Sequence, residues 1–165
     1  MKEIVLSKGK CALVDDEDYE YLNQWKWSLS GPPNSLYAIR AYGPRRKREY
    51  IQMHRVIMNT PKHLVVDHID HNGLNNQKSN LRNCTRQQNQ MNMKVIKASS
   101  KYRGVYLAPH QSKTSIYAGI RVNGRHKHLG SFKTEVEAAM EYDKVAKQFR
   151  GEFAILNFPN PKNYE

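Results

Sequence analysis

The stretch from Val66 to Asn89 holds most of the reactive side chains in this sequence. It opens Val66-Asp67-His68-Ile69-Asp70-His71-Asn72-Gly73, passes Asn75-Asn76 and Ser79-Asn80-Leu81-Arg82, and ends at Asn89. Asp67 and His68 are neighbours, so on a strand they point to opposite faces. A carboxylate such as Asp67 can hold a hard divalent cation through oxygen. The imidazole of His68 is then left to act on a neighbouring water as a general base. A further oxygen ligand could come from the helix that follows. A cation with few protein ligands keeps open positions for a phosphate oxygen and a leaving group. Such parts together would hydrolyse a phosphodiester. Asp70 could be a second ligand, but its place ahead of Asn72-Gly73 suits a turn former better. Asn75 and Asn76 read as loop-shaping residues. His71 reads as an exposed loop residue, and Cys84 as a small core residue.

A phosphodiester needs a surface that attracts it. The chain has 165 residues with 27 Lys+Arg against 15 Asp+Glu, a formal net charge of +12. The positions of the charges say more than their sum. Nine acids fall within the first 70 residues, and none lies between Asp70 and Glu135, where 12 Lys/Arg occur. Surfaces usually mix signs to limit self-repulsion, so a one-signed stretch of this length points to a phosphate-facing surface. A second basic knot, Arg45-Arg46-Lys47-Arg48, follows Gly43-Pro44 and reads as a hairpin tip. As a solvated turn or as a phosphate contact it is equally well explained. The length suits one medium domain or two small ones. No run approaches the roughly 18–20 apolar residues of a membrane span, and the N-terminus carries no signal-peptide core. With two cysteines, Cys11 and Cys84, neither a disulfide scaffold nor a four-thiolate zinc site can form. Reduced thiols and a cytoplasmic location are expected.

The elements that position these residues can be read coarsely. Cys11-Ala12-Leu13-Val14 suits a strand. Asp15 or Asp16 then caps a short helix carrying Tyr19, Leu22 and Trp25. Two strands, 36–42 and 49–53, flank the basic turn as a hairpin. Leu64-Val65-Val66 reads as a short strand, and periodicity places a helix from Ser79 or Asn80 through Arg86 to about Met91. Residues 94–100 read as a linker. Beyond it come strands from Arg103 to Leu107, Ser115 to Val122 and Arg125 to Phe132, the last two joined by the hairpin signal Asn123-Gly124. Thr134 and Glu137 form a capping box ahead of a helix. Its stripe Ala138, Tyr142, Val145 and Phe149, with Ala139 and Ala146 beside it, reads as core, and Gly151 ends it. Strand alternation turns Ala118, Ile120 and Val122 toward that helix and Tyr117, Gly119 and Arg121 outward. Likewise Val105 and Leu129 face in, while Tyr106, His126 and His128 face out.

The set Val66-Asp67-His68, Asn75-Asn76, Ser79-Asn80-Leu81-Arg82 and Asn89, with Met53-His54-Arg55-Val56 upstream, resembles the HNH endonuclease motif. It looks close to the homing endonucleases of phages and introns. The resemblance implies a strand–loop–strand–helix metal site over residues 64–91. It implies Asp67 and Asn89 as metal ligands, His68 as general base, and Asn80 as the residue that pins the loop. Asn at position 89, where other HNH enzymes carry His, favours Mg²⁺ or Mn²⁺ over Zn²⁺. No structural zinc is expected. His54 could contact the scissile phosphate or sit buried behind the metal site, and His71 is a further supporting candidate.

The third part carries a second resemblance. Tyr102-Arg103-Gly104-Val105, Tyr117-Ala118-Gly119-Ile120-Arg121, Leu129-Gly130-Ser131-Phe132, Tyr142-Asp143 and Leu156-Asn157-Phe158 are similar to the AP2/ERF DNA-binding domain. That implies three antiparallel strands packed on one helix, with the sheet laid in the major groove of DNA. Arg103, Tyr106, Tyr117, Arg121, His126, Lys127 and His128 are then the candidate DNA contacts. The expectation is an α+β chain with a ββα-metal nuclease unit (1–93), a linker (94–100), an AP2-like module (101–159) and a tail (160–165). It would nick double-stranded DNA with a divalent metal, as a monomer or weak dimer. No membrane and no small-molecule substrate are expected, and a phage origin would place it in the host cytoplasm. The alternative is a DNA-binding regulator carrying an inactive HNH remnant.

Overall fold

Every sheet in the described structure is antiparallel and two or three strands wide, and short helices lie between them. The computed structural model describes residues 1–92, 99–110 and 113–159. The expected tail and most of the expected linker lie outside these residues. The described strands are β1 (Lys2–Val5), β2 (Cys11–Val14), β3 (Ser28–Ser30), β4 (Tyr37–Tyr42), β5 (Glu49–Gln52), β6 (Val65–His68), β7 (Leu81–Cys84), β8 (Val105–His110), β9 (Lys113–Val122) and β10 (Arg125–Phe132). The helices are α1 (Asp16–Leu22), α2 (Met53–Ile57), α3 (Arg86–Met91) and α4 (Glu135–Arg150). Among the described residues no helix is long and apolar enough to cross a membrane. The chain divides into two compact units, one ending at Asn89 and the other beginning at Gln90.

In the first unit, the hairpin β1–β2 and α1 build a core with the sheet β3–β4–β5. Ile4, Leu6, Ala12, Val14, Leu22, Trp27, Ala38 and Met53 are its buried members. Burying a side chain the size of Leu22 or Met53 stabilises by about 1.5–3 kcal/mol. Trp27 is placed by its ring N–H, which donates to the Leu22 carbonyl at 2.8 Å. Asp15 does occupy the N-cap position of α1 but makes no cap bond. Its carboxylate accepts instead from the Gln77 side chain and from the Lys78 backbone N–H, at 3.2 and 2.8 Å. The expected cap residue is therefore a tether for the polar loop.

The helix expected from Ser79 or Asn80 onward breaks into three pieces. A 3-10 turn covers Lys78–Asn80, β7 follows, and α3 begins only at Arg86. The reason is pairing: β6 is a buried strand whose backbone groups need a partner. β7 supplies it, with Val65 opposite Cys84 and Asp67 opposite Arg82. Leu81 and Cys84, at the two ends of β7, are both buried. Cys84 is thus a core residue on a strand, not on the helix. The start of α3 is marked by Thr85 and Gln88, each of which bonds the other's backbone N–H. That reciprocal pattern is a capping box three residues apart, and it is visible in the sequence as Thr85-Arg86-Gln87-Gln88.

In the second unit, α4 lies on the sheet β10–β9–β8. Val105, Ala118 and Ile120 of the sheet meet Ala138, Ala139, Tyr142 and Ala146 of the helix, small residues that let the two approach closely. The Thr134–Glu137 capping box opens the helix and Gly151 closes it. Phe149, expected in the core, is exposed at the last turn, where the Lys127 ammonium sits 5.2 Å above its ring. Gly104 has φ +74°, and a Cβ there would strike the Tyr142 ring. Only glycine fits that crossing of chain and helix. The buried carboxylate of Asp143 accepts from the Asn157 backbone, the Asn157 side chain and the Phe158 backbone at 2.8–2.9 Å, which fastens the chain after α4 to the helix. Replacing Asp143 with Ala leaves these donors unmet inside the unit. The expected loss is about 2–4 kcal/mol of the second unit's stability. Urea unfolding followed by amide exchange in residues 101–159 measures it, and a loss under half a kcal/mol would sink this account.

Candidate active site and nucleic-acid face

Asp67 and His68 close β6, and both are buried, at 4% and 7% exposure. Burying a carboxylate is costly unless it is paired and hydrogen-bonded. Arg82, directly opposite on β7, meets that need. Its Nε and Nη2 donate to Asp67 Oδ2 at 2.9 and 2.7 Å. The antiparallel register thus brings a charge pair together that spacing in the sequence does not reveal.

His68 sits among other rings. His54, at the start of α2, packs edge-on to it with centroids 5.0 Å apart, and Tyr37 of β4 lies 5.5 Å from His54 and 5.8 Å from His68. Gln52, the last residue of β5, is 3.1 Å from His54 Nε2 through its side-chain carbonyl oxygen. Arg55 donates to the carbonyls of Thr60, Pro61 and Leu64 at 3.0–3.1 Å, so it fixes the turn that leads into β6. Burial pushes the His68 pKa below its ordinary value, against the upward pull of the Asn76 side chain, Asp70 and Asp67. Burial, then the neighbouring His68 and Arg55, push His54 down to about 3. Both rings are therefore favoured as neutral imidazoles, the form that can accept a proton.

The loop after β6 is held from within. Asn80 Oδ1 accepts from the Asp70 N–H, while its Nδ2 donates to Asp70 Oδ1 and to the Asn75 carbonyl, at 2.8–3.0 Å. Asp70 also accepts from the Asn72 N–H and the Asn75 amide, as a turn former does. Leu13 of β2 donates to the Leu74 carbonyl and accepts from the Asn76 N–H, stitching the loop to the first hairpin. Asn76 is fully buried, and His71 is exposed with φ +64°. Asn89 is half-buried on α3. Tyr37, Gln52, Asn76 and Arg82 were not singled out as site residues by sequence. Arg82 carried no local signal, because its role depends on the register of β6 and β7.

Among the described residues no three His, Cys, Asp or Glu side chains gather around a metal position. The Asp67 and Asn89 oxygens, one carboxylate and one carboxamide, suit a hard cation in kind. Such a cation would share Asp67 with Arg82. In the second unit, Tyr106 and Tyr117 are cross-strand partners whose rings stack at 5.1 Å. His126 and His128 extend the row at 5.8 and 5.6 Å. Arg121 is exposed and opposite His126 in register. Two candidates lie elsewhere. Arg103 precedes β8 and is half-buried, its guanidinium on the Met91 carbonyl. Lys127 pairs with the inward-facing Ile120 and reaches Phe149, on the helix side of the sheet.

Two outcomes follow from the buried charges. Arg82→Met strands the Asp67 carboxylate and should cost about 3–5 kcal/mol in denaturant unfolding; a cost below 1 kcal/mol would mean that the pair does not compensate the burial. His54 concerns acid. Between pH 6.5 and about 3 the unfolded chain binds a proton at this residue that the folded chain refuses. Stability therefore falls as pH drops through that window, by up to about 1.4 kcal/mol per unit from this group, and is unaffected by it above pH 6.5. His54→Phe should flatten the acid limb of unfolding midpoints measured from pH 7.5 to 4.5. Parallel limbs for variant and wild type would refute the assignment.

The family model described as HNH endonuclease matches residues 53–91, which spans α2, β6, the pinned loop, β7 and α3. An HNH endonuclease of Acanthamoeba polyphaga mimivirus is 35% identical over 152 residues, covering 91% of this chain and 76% of that protein. An ethylene-responsive transcription factor of Arabidopsis thaliana is 37% identical over 59 residues, and an APETALA2-like protein of Oryza sativa subsp. indica is 41% identical over 69 residues. Those matches cover 36% and 41% of this chain but only 14% and 15% of the plant proteins. No solved structure matches the chain significantly. The site built on β6, β7 and α3 and the similarity along nine-tenths of the sequence place this chain in the HNH endonuclease family.

Proposed function

We infer that the chain is a metal-dependent DNA endonuclease that nicks one strand per encounter, with the second unit gripping the duplex. The observation that carries this is the strand end itself, where the consecutive residues Asp67 and His68 are both buried, the first compensated by Arg82 and the pair followed by a loop that Asn80 pins. His68 would accept the proton of the attacking water, whose oxygen bonds to phosphorus as the bond to the 3′-oxygen breaks. Asp67 and Asn89 would hold a divalent cation, Mg²⁺ or Mn²⁺, which supplies Lewis-acid stabilisation of the charge on phosphate and leaving oxygen. Arg82 would hold the Asp67 carboxylate in place through its two hydrogen bonds. His54, Tyr37 and Asn76 would hold the His68 ring in place and exclude bulk water. One such site cuts one strand, so a double-strand break needs two copies or a second visit.

The second unit supports the same reading from its own side. Its outward row of Tyr106, Tyr117, His126 and His128, with Arg121, combines hydrogen-bonding tips with positive charge, which suits a face read against a DNA groove. The partial likeness to plant transcription factors supports duplex DNA as its ligand. Arg103 and Lys127 stay outside that face, so their contribution would be to phosphate or to folding.

The test is cleavage of supercoiled plasmid with Mg²⁺ or Mn²⁺. Wild type should convert it to nicked circles. His68→Ala and Asp67→Ala should slow this by about two to four orders of magnitude. Asn89→Ala should raise the metal concentration needed, and His71→Ala should leave nicking unchanged. Tight, salt-sensitive binding with no cutting by any form, on DNA of many sequences, would instead establish the regulator with an inactive HNH remnant.

A further inference from the structure

The β4–β5 hairpin begins at the proposed active site and ends in a cluster of cations. At its base, Tyr37 opens β4 against both His54 and His68, and Gln52 closes β5 on His54. The strands pair from Ile39 opposite Gln52 to Tyr42 opposite Glu49, where the Tyr42 hydroxyl donates to the Glu49 carboxylate and shuts the mouth. The tip is Gly43-Pro44-Arg45-Arg46-Lys47-Arg48. Gly43 has φ +85°, and a Cβ there would press on the Lys47 carbonyl. The Lys47 N–H donates to the Pro44 carbonyl at 2.8 Å, so the tip is a closed turn. All four cations are exposed, and no ion pair among the described residues engages them. Tyr42 and Tyr50 beside them are exposed as well. No acid lies between Glu20 and Glu49 in the sequence, so this arm carries almost unopposed positive charge.

We propose that this hairpin is a second DNA-contacting arm, belonging to the nuclease unit itself, whose tip binds duplex phosphates at a fixed reach from the cut. The proposal rests on the nuclease reading above and adds a partner surface and a distance. From Tyr37 to the turn, at about 3.3 Å per residue, the arm reaches about 20 Å. Along duplex DNA, at about 3.4 Å per base pair, that is about six base pairs, roughly half a helical turn. The tip has arginine forks suited to phosphate oxygens but sits on a turn too short to enter a groove as an element. It therefore sets register and affinity and reads no sequence. Duplex DNA is the occupant that fits, because the same strands that carry the cations also pack against the residues proposed to cut it.

The experiment compares full-length wild type with the variant in which Arg45, Arg46, Lys47 and Arg48 are all replaced by Ala, leaving Gly43 and Pro44 intact. Affinity for a mixed-sequence 30-base-pair duplex is measured by anisotropy in EDTA across a salt series, with an equal-length RNA duplex beside it. Each phosphate that the variant no longer neutralises should reduce the salt slope by about 0.9, so a fall of two to four and a weakening of affinity on the order of 10- to 100-fold near 0.1 M salt are expected. An unchanged slope overturns the phosphate-binding role. Weakening seen only with RNA overturns DNA as the partner. On a duplex that wild type nicks, hydroxyl-radical footprinting of the variant should show protection missing within one helical turn of the nick, with the nick position unmoved. Protection missing only beyond one turn overturns the fixed reach while leaving the nuclease intact. Should wild type bind with the hairpin-dependent slope and never nick DNA, the arm stands as a DNA-binding surface and the nuclease reading falls.

Discussion

Two polar side chains, Asp67 and His68, are buried at a strand end, and much of the first unit follows from that constraint. A buried carboxylate without a counter-charge is costly, and the facing position on β7 supplies the Arg82 guanidinium. A buried imidazole costs less while neutral, and the aromatic edges of Tyr37 and His54 surround it without adding charge. Two consecutive polar residues at the end of a two-stranded ladder would also leave the chain beyond them unsupported. Asn80 and Asp70 close that loop on itself, and Leu13 joins it to the hairpin that forms the hydrophobic core. The apolar core and the candidate site thus share one piece of backbone.

Much of this was legible in the sequence, for reasons that differ by residue. The sheet and helix of the second unit follow from period-two alternation, an Asn-Gly turn and a capping box, each a local signal with a local cause. The polar stretch of residues 66–89 stood out as a candidate site because Asp, His and Asn crowd it, and the HNH endonuclease family model matches residues 53–91. Its architecture was harder. Leu81 and Cys84 are three apart, which suits one face of a helix, yet they are the two buried end residues of a short strand, on opposite faces, whose existence depends on β6 sixteen residues earlier. The competing signal, Thr85 with Gln88, was present and marks where the helix starts.

Residues that act across elements were the least legible. Arg82 was one cation among many until the register set it opposite Asp67. Asp15 had the sequence context of a helix cap, and Gln77 and Lys78, more than sixty residues away, claimed its carboxylate. Lys127 sits between two outward histidines, but alternation turns it to the helix side, where the Phe149 ring takes its ammonium. In each case the local pattern was sound and a long-range partner decided the outcome.

The uneven distribution of charge now has a physical account on the acid-rich side. Asp15, Glu17 and Asp18 hold Gln77 and Lys78, Asp67 holds Arg82, and Asp70 holds Asn72, Asn75 and Asn80. These acids are consumed in building the loop and the site. Acids added on the hairpin tip or on the outward face of β8–β10 would find no such use and would repel a polyanion. Repulsion among the bare cations of the hairpin tip is the cost of leaving them unopposed, and at surface dielectric it is small for each pair. A polyanionic partner removes that repulsion on binding and releases counterions as it does so. The acids therefore lie where the fold needs them, and the exposed cations of the hairpin tip are left without an opposing charge among the described residues.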